Sequence, residues 1–158
     1  MRRLATVFLT LSLAACGASD PAPRIDRPSP VAAVAGPEFS CGSSSVQVAA
    51  MPLGTTKSGT FRRIKSLTRD LKVRGETWSR GGERLHVGVV CGIRTAEEFA
   101  ALVDRATLGM HRGNPALSWE TRGGMHNFMW LERPGTAVYV AATPGLSTEI
   151  DRIADAVR

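Results

Sequence analysis

The sequence predicts an α+β domain, in which an antiparallel sheet has two or three helices packed on it. Several segments alternate polar and apolar residues. In two places, two such segments flank a turn that contains glycine, as the strands of a hairpin do. Three further segments repeat their apolar residues at helical spacing. The chain has 158 residues, which is enough for one such domain with a hydrophobic core.

The first two predicted elements are a strand and a helix. The segment SVQVAAM at 45–51 alternates apolar and polar residues, which is typical of a strand. In residues 59–71 the spacing of the apolar residues predicts an amphipathic helix. The apolar stripe of this predicted helix contains Phe61, Ile64, Leu67 and Leu71.

A first hairpin is predicted over residues 72–93. It turns at Gly81-Gly82, because paired glycines accept the positive φ that tight turns require. One face of its second strand is apolar and includes Cys91. This cysteine is therefore predicted to point into the core.

The second half of the domain is predicted to contain a loop, a short strand and a second hairpin. A loop over 109–116 precedes a short strand at 117–121, and a second hairpin over 126–143 turns at Pro134-Gly135. We expect both hairpins to join one antiparallel sheet.

Two more helices are predicted, one after each hairpin. Thr95 is followed three residues later by Glu98, which is a capping box at a helix start. The last helix is predicted over 146–158. Trp78 and Trp130 each precede a turn, a strand and a helix, which indicates either a duplication or the shared order of hairpin and helix.

The first fifteen residues have the make-up of a secretory signal peptide. Arg2 and Arg3 are followed by twelve largely apolar residues, Leu4 to Ala15. A membrane-spanning helix needs about 20 apolar residues, so this stretch is too short to remain as an anchor. The sequence therefore predicts that residues 1–15 are removed on export.

The segment Leu13-Ala14-Ala15-Cys16 resembles the lipobox of bacterial lipoproteins. The resemblance implies that Cys16 carries lipid, including palmitate-type acyl chains, and becomes the first residue. Each buried methylene contributes roughly 0.8 kcal/mol, so two or three chains hold a protein on a bilayer. The implied location is extracytoplasmic: the periplasmic face of the inner or outer membrane, or the cell surface. An ordinary secretory signal with a chance cysteine is the alternative.

Residues 16–38 are predicted to tether the globular domain at 39–158. Residues 17–38 contain five of the nine prolines and no aromatic residue. Such a segment reaches roughly 25 to 70 Å, depending on whether it is coiled or extended. A tail packed on the domain is the alternative.

Two cysteines remain once Cys16 is lipidated. Cys41 and Cys91 allow one intramolecular disulfide, and an exported protein meets conditions in which disulfides persist. Closing a loop of about 50 residues stabilises a fold by roughly 4 kcal/mol. Two free thiols or a catalytic cysteine are the alternatives, and the sequence has no C-x-x-C motif.

Basic residues are concentrated in one segment. Residues 57–84 contain nine basic and three acidic side chains. A basic amphipathic segment is typical of proteins that bind an anionic lipid surface or an acidic partner. A solvated helix face is the alternative. The predicted binding residues are Arg62, Arg63, Lys65, Arg69 and Lys72.

A soft-metal site is the alternative binding hypothesis. The pairs Met110-His111 and Met125-His126 are followed by Met129. Thioether and imidazole are ligands that Cu(I) prefers, so these residues suggest a periplasmic copper-binding protein. Methionines that fill gaps in the core explain the same pattern, and our prediction is that no metal is bound.

No catalytic motif is found. The sequence contains no G-x-S-x-G, H-E-x-x-H or P-loop motif and no nucleic-acid-binding motif. We therefore expect a non-enzymatic binding or interaction module without a cofactor. Its expected partners are the membrane, through the lipid, and an envelope protein or anionic envelope surface, but not nucleic acid. An enzyme with an unrecognised site is a second alternative.

Overall fold

The computed structural model describes residues 35–158. The predicted signal peptide, Cys16 and the tether up to residue 34 lie outside the described residues. The described chain is mostly β, with short helices at two places. The strands are β1 (Glu38–Cys41), β2 (Ser44–Gln47), β3 (Thr56–Phe61), β4 (Lys72–Arg80), β5 (Glu83–Cys91), β6 (Thr107–His111), β7 (Asn114–Glu120), β8 (His126–Arg133) and β9 (Thr136–Ala142). The helices are α1 (Ala96–Ala100) and α2 (Glu149–Asp155), and a 3₁₀ turn at Pro144–Leu146 precedes α2.

Seven strands form one antiparallel sheet in the order β3-β4-β5-β9-β8-β7-β6. The central strands β5 and β9 pair from Leu85↔Ala142 to Cys91↔Thr136. All seven residues of β9 are buried. A strand in which both faces are buried must lie in a sheet that is covered on both sides.

Two hydrophobic cores cover the two faces of the sheet. The first core lies under α2 and the separate β1–β2 hairpin, and includes Phe39, Trp78, Trp130 and Ile153. The second core lies under α1 and the segment 62–71. Its buried side chains include Ile64, Val90, Phe99, Met129 and Tyr139.

The predicted fold class is wrong, because the domain is mostly β rather than α+β. The predicted helix at 59–71 is absent: β3 continues to Phe61, which pairs with Gly75, and irregular chain follows. Ile64 is buried and Leu67 half-buried, so the apolar stripe does contact the core. Serine, threonine, aspartate and glycine in this segment disfavour a helix.

The predicted loop at 109–116 is also wrong. Its residues belong mostly to β6 and β7, which pair across a turn at Arg112-Gly113. The two helices that follow the hairpins are present but short, with five residues in α1 and seven in α2.

Both predicted hairpins are confirmed. β4 and β5 close with Arg80 opposite Glu83, and β8 and β9 close with Arg133 opposite Thr136. The helix start at Thr95 is confirmed as well, because its side chain accepts a hydrogen bond from the Glu98 amide. These elements depend on local turn and capping chemistry.

The disulfide between Cys41 and Cys91 is confirmed, with the two Cα atoms 5.4 Å apart. It joins the end of β1 to the end of β5 and so fixes the β1–β2 hairpin on the sheet. Two residues near the end of the predicted tether also contact the chain that follows β2. Pro37 accepts a backbone hydrogen bond from Val48 at 3.0 Å, and Ala35 pairs with Ala50.

Within residues 35–158, no helix has the length and apolar character needed to cross a membrane.

Candidate functional site

The five basic residues predicted to bind a partner are all exposed, but they lie in three different places. Arg62 and Lys72 line one groove together with Arg74. Arg63 and Lys65 line a separate cleft on the second face of the sheet. The remaining residue, Arg69, lies 3.7 Å from a carboxylate oxygen of Glu98 in α1.

We call Arg62, Lys72 and Arg74 the basic groove, which has a volume of about 550 Å³. Among the described residues, neither Arg62 nor Lys72 has an ion-pair partner. The Arg74 guanidinium donates to the carbonyl and hydroxyl oxygens of Ser40, at 3.3 and 3.1 Å. The basic groove therefore lies beside β1, the first strand of the domain. Glu38 lines a smaller depression with Arg62 and Arg74 on the same side.

We call the second feature the cleft, which has a volume of about 420 Å³. It lies between the second face of the sheet and the segment that follows β3. Within the described chain, no aspartate or glutamate lines it. Its apolar walls are Phe61, Ile64, Met125 and Tyr139, its polar residues are Ser66, His86, Thr121 and Asn127, and its basic residues are Arg63, Lys65 and Arg84.

Two glycines allow close packing beside the cleft. Phe61, Gly75, Gly88 and Tyr139 form one row across β3, β4, β5 and β9. A Cβ atom on Gly75 would overlap the Phe61 ring, and one on Gly88 would overlap the Arg74 carbonyl. The missing side chain of Gly75 lets the Phe61 ring lie across the sheet, with its centroid 5.9 Å from that of Tyr139, and that of Gly88 lets the backbones of β4 and β5 approach closely.

A buried hydrogen-bond network supports the wall of the cleft. The Tyr139 hydroxyl donates to Asn127 Oδ1 at 2.7 Å. Asn127 Nδ2 donates to the Met125 carbonyl at 2.7 Å and to the Trp119 carbonyl at 3.2 Å. Burial raises the pKa of Tyr139 above its ordinary value, so its hydroxyl remains a donor. The network fixes the orientation of both side chains.

His86 is the titratable side chain on the floor of the cleft. Its Nδ1 lies 3.0 Å from the Thr77 hydroxyl, and its ring packs edge-to-face on Phe61 with 5.3 Å between the centroids. Burial, and secondly the charge of Arg84, lowers the pKa of His86 below 6.5. The imidazole is therefore neutral at pH 7. The sequence pattern suggests exposure for this residue, which is wrong because both faces of the sheet are covered.

The lowered pKa of His86 predicts a pH dependence of stability. Below pH 6.5 the His86 side chain binds a proton in the unfolded chain, whereas in the folded chain it stays neutral until the pH falls to its lowered pKa. The free energy of unfolding therefore falls as the pH drops from 6.5 through the folded pKa. We expect His86→Asn to reduce this fall, as measured by urea unfolding midpoints between pH 8 and pH 5. The difference between the two proteins at pH 8, where both side chains are neutral, is the reference. Parallel curves over the whole range would contradict the prediction.

The Met-His residues of the soft-metal hypothesis do not converge. Met110 is 68% exposed on the edge strand β6, and the His111 ring packs 4.7 Å from the Trp130 ring in the first core. Met129 is buried in the second core, whereas the alternation along β8 places His126 on the opposite face. Met125 lines the cleft. Within residues 35–158, no three His, Cys, Asp or Glu side chains are placed to share a metal ion.

Four residues of the cleft were missed by the sequence analysis: Arg84, His86, Asn127 and Tyr139. They come from β5, β8 and β9, and strand pairing alone brings them together. One signal was available, because glycines inside predicted strands often mark a close approach of other groups. Gly75 and Gly88 are such positions.

Comparison with known proteins gives no match to a family model, to a curated protein sequence or to a solved structure, so the function is argued from the site itself.

Proposed function

We propose that this protein is a lipid-anchored, non-enzymatic binding module whose domain docks on the anionic surface of the membrane that holds it. One observation supports this most directly. The basic groove lies beside β1, which is the strand that follows the proposed tether in sequence. Glu38, at the start of β1, is only three residues after the first described residue. Glu38, where the proposed tether ends, and the basic groove therefore lie on the same side of the domain.

The charges of the groove are available to an external anion. Arg62 and Lys72 are exposed and lack ion-pair partners among the described residues. Each basic side chain near an anionic membrane contributes about 1 kcal/mol before screening by salt. Two or three such residues bind a free domain weakly, but a lipid on Cys16 would keep the domain at high local concentration. Docking would then require no further contact.

Vesicle binding tests the groove. The mature chain with Cys16→Ser cannot be lipidated, so any binding must come from the domain and its tether. We expect this chain to sediment with vesicles that contain phosphatidylglycerol at low salt, but not with pure phosphatidylcholine, and to be released at high salt. Adding Arg62→Glu and Lys72→Glu should abolish sedimentation, because two attractive charges become repulsive.

A matched variant controls for net charge. Arg152→Glu with Arg122→Glu makes the same change of charge on α2 and in the turn between β7 and β8. This helix begins near Arg80, at the opposite end of β4 from Lys72, and we expect its variant to keep most of the binding. Equal loss in both variants would show an effect of net charge and contradict docking through the groove. A chain that does not sediment with anionic vesicles at low salt would contradict the membrane as the partner.

A further inference from the structure

The cleft has the size and construction of a small-molecule site. Its volume of about 420 Å³ lies within the range of about 300 to 1,000 Å³ that is common for ligand pockets. Such pockets combine apolar walls with a few polar groups that orient the ligand. The buried Tyr139–Asn127 pair and the Phe61 ring give this cleft a fixed wall before any ligand binds.

The charges around the cleft select for an anion. Arg63 already pairs with Asp70 at 3.0 Å. Lys65 and Arg84 have no carboxylate partner among residues 35–158, and no described acidic side chain lines the cleft. A cationic ligand would meet repulsion at this rim, whereas an anionic ligand would gain two charge-assisted hydrogen bonds.

The walls of the cleft select for an apolar body on that anion. The side chains of Phe61, Met125 and Tyr139 offer two aromatic rings and a thioether. A thioether adapts to ligands of different shape, and aromatic rings bury large apolar area. A small inorganic anion would leave these walls uncovered.

His86 adds one hydrogen-bonding group to the floor. Its Nδ1 faces the Thr77 hydroxyl, so the other ring nitrogen is the one left for a ligand. When the hydroxyl donates to Nδ1, the proton of the neutral ring lies on Nε2, which is then a donor to an acceptor oxygen. The guanidinium of Arg84, two residues earlier on β5, matches the planar geometry of a carboxylate.

We propose that the cleft binds a small organic carboxylate, with its hydrocarbon body against Phe61, Met125 and Tyr139 and its carboxylate held by Lys65 and Arg84. This site is separate from the basic groove and does not depend on membrane docking. The protein then has two ligands: the membrane surface at the basic groove and a small molecule in the cleft.

Three probes of matched length test the charge selectivity of the cleft. Octanoate, 1-octanol and octylamine share an alkyl chain and differ only in the charge of the head group. Titrations of the mature Cys16→Ser chain, followed by nuclear magnetic resonance below the micelle concentrations, report binding through the signals of cleft residues. We expect octanoate to bind at least about tenfold more tightly than octanol, and octylamine not to bind, because charge-assisted hydrogen bonds form only with octanoate.

Two variants assign the binding to the proposed residues. Arg84→Gln and Lys65→Gln should each weaken octanoate binding by about tenfold or more, while the affinity for octanol stays unchanged. Unchanged octanol affinity also shows that the variants fold. Arg152→Gln on α2, which packs on the first core and not on the cleft, is the matched control, and it should leave octanoate binding intact.

Several outcomes would overturn the site. Equal affinity for the three probes would show an unselective apolar surface, and no binding by any probe would show that the cleft is not a ligand site. Octanoate affinity that does not respond to Arg84→Gln and Lys65→Gln would place the anion elsewhere. None of these outcomes bears on vesicle binding through Arg62 and Lys72, so failure of one proposal leaves the other testable.

Discussion

The double variant Cys41→Ala/Cys91→Ala is expected to have a free energy of unfolding about 4 kcal/mol below that of the wild type. The disulfide joins residues 50 positions apart, so it restricts a long loop in the unfolded chain. Domains of this size have total stabilities of about 5 to 15 kcal/mol, which makes this loss a large fraction of the whole. Urea unfolding of residues 16–158 with Cys16→Ser, with and without the double variant, measures it.

The folded state should survive this change. Phe39, Val46 and Val48 of the β1–β2 region are buried in the first core and remain in place without the disulfide. Wild-type protein under reducing conditions should therefore lose about the same free energy as the double variant. A loss well below 1 kcal/mol in both would mean that the unfolded chain is compact enough for the cross-link to matter little.

Local opening of the β1–β2 hairpin is the second consequence of losing the disulfide. Amide exchange in Phe39 and Val46 should become faster than exchange in β9, because the hairpin keeps fewer constraints than the sheet. The same hairpin carries Ser40, which accepts hydrogen bonds from Arg74. The disulfide thus stabilises one wall of the basic groove.

The features that sequence predicted correctly depend on few residues. Each hairpin follows from a turn, at Gly81-Gly82 and Pro134-Gly135, with strands of suitable composition on both sides. The disulfide follows from counting cysteines after Cys16 is set aside. Turn residues and an even number of cysteines can be recognised without knowledge of the tertiary fold.

The features that sequence missed depend on long-range pairing. Apolar residues in 59–71 recur at helical spacing, but the chain reaches the core as strand and irregular loop because Phe61 pairs with Gly75 on β4. In β6 four of the five residues are exposed, so its pattern carries no amphipathic signal. The seven residues of β9 are buried on both faces, which removes the alternation that marks a half-buried strand.

The candidate site shows the same division between local and long-range information. Composition alone showed the basic segment, including Arg62 and Lys65. Which of its basic residues lie close together depends on strand order. Arg84, for example, joins Lys65 at the cleft because β5 lies in the same sheet as β3. Asn127 and Tyr139 meet only through the register of β8 and β9.

Trp130→Ala is expected to lower the free energy of unfolding by about 3 to 5 kcal/mol, which is the usual cost of deleting a buried tryptophan side chain. Trp130 is fully buried in the first core. Its ring packs 4.7 Å from the His111 ring and 5.6 Å from the Phe128 ring. The substitution leaves a cavity that these neighbours fill only partly. Urea unfolding measures the loss.

Phenylalanine substitutions separate the hydrogen bond from the packing. Trp130 Nε1 donates to a Glu132 carboxylate oxygen at 2.7 Å, whereas Trp78 Nε1 is buried with no acceptor among the described residues. Trp130→Phe removes a made hydrogen bond, and Trp78→Phe removes a donor that is costly to bury. We therefore expect Trp130→Phe to cost about 1 to 3 kcal/mol more than Trp78→Phe. Equal costs would mean that the indole N–H groups contribute alike, and that packing alone decides the stability of the first core.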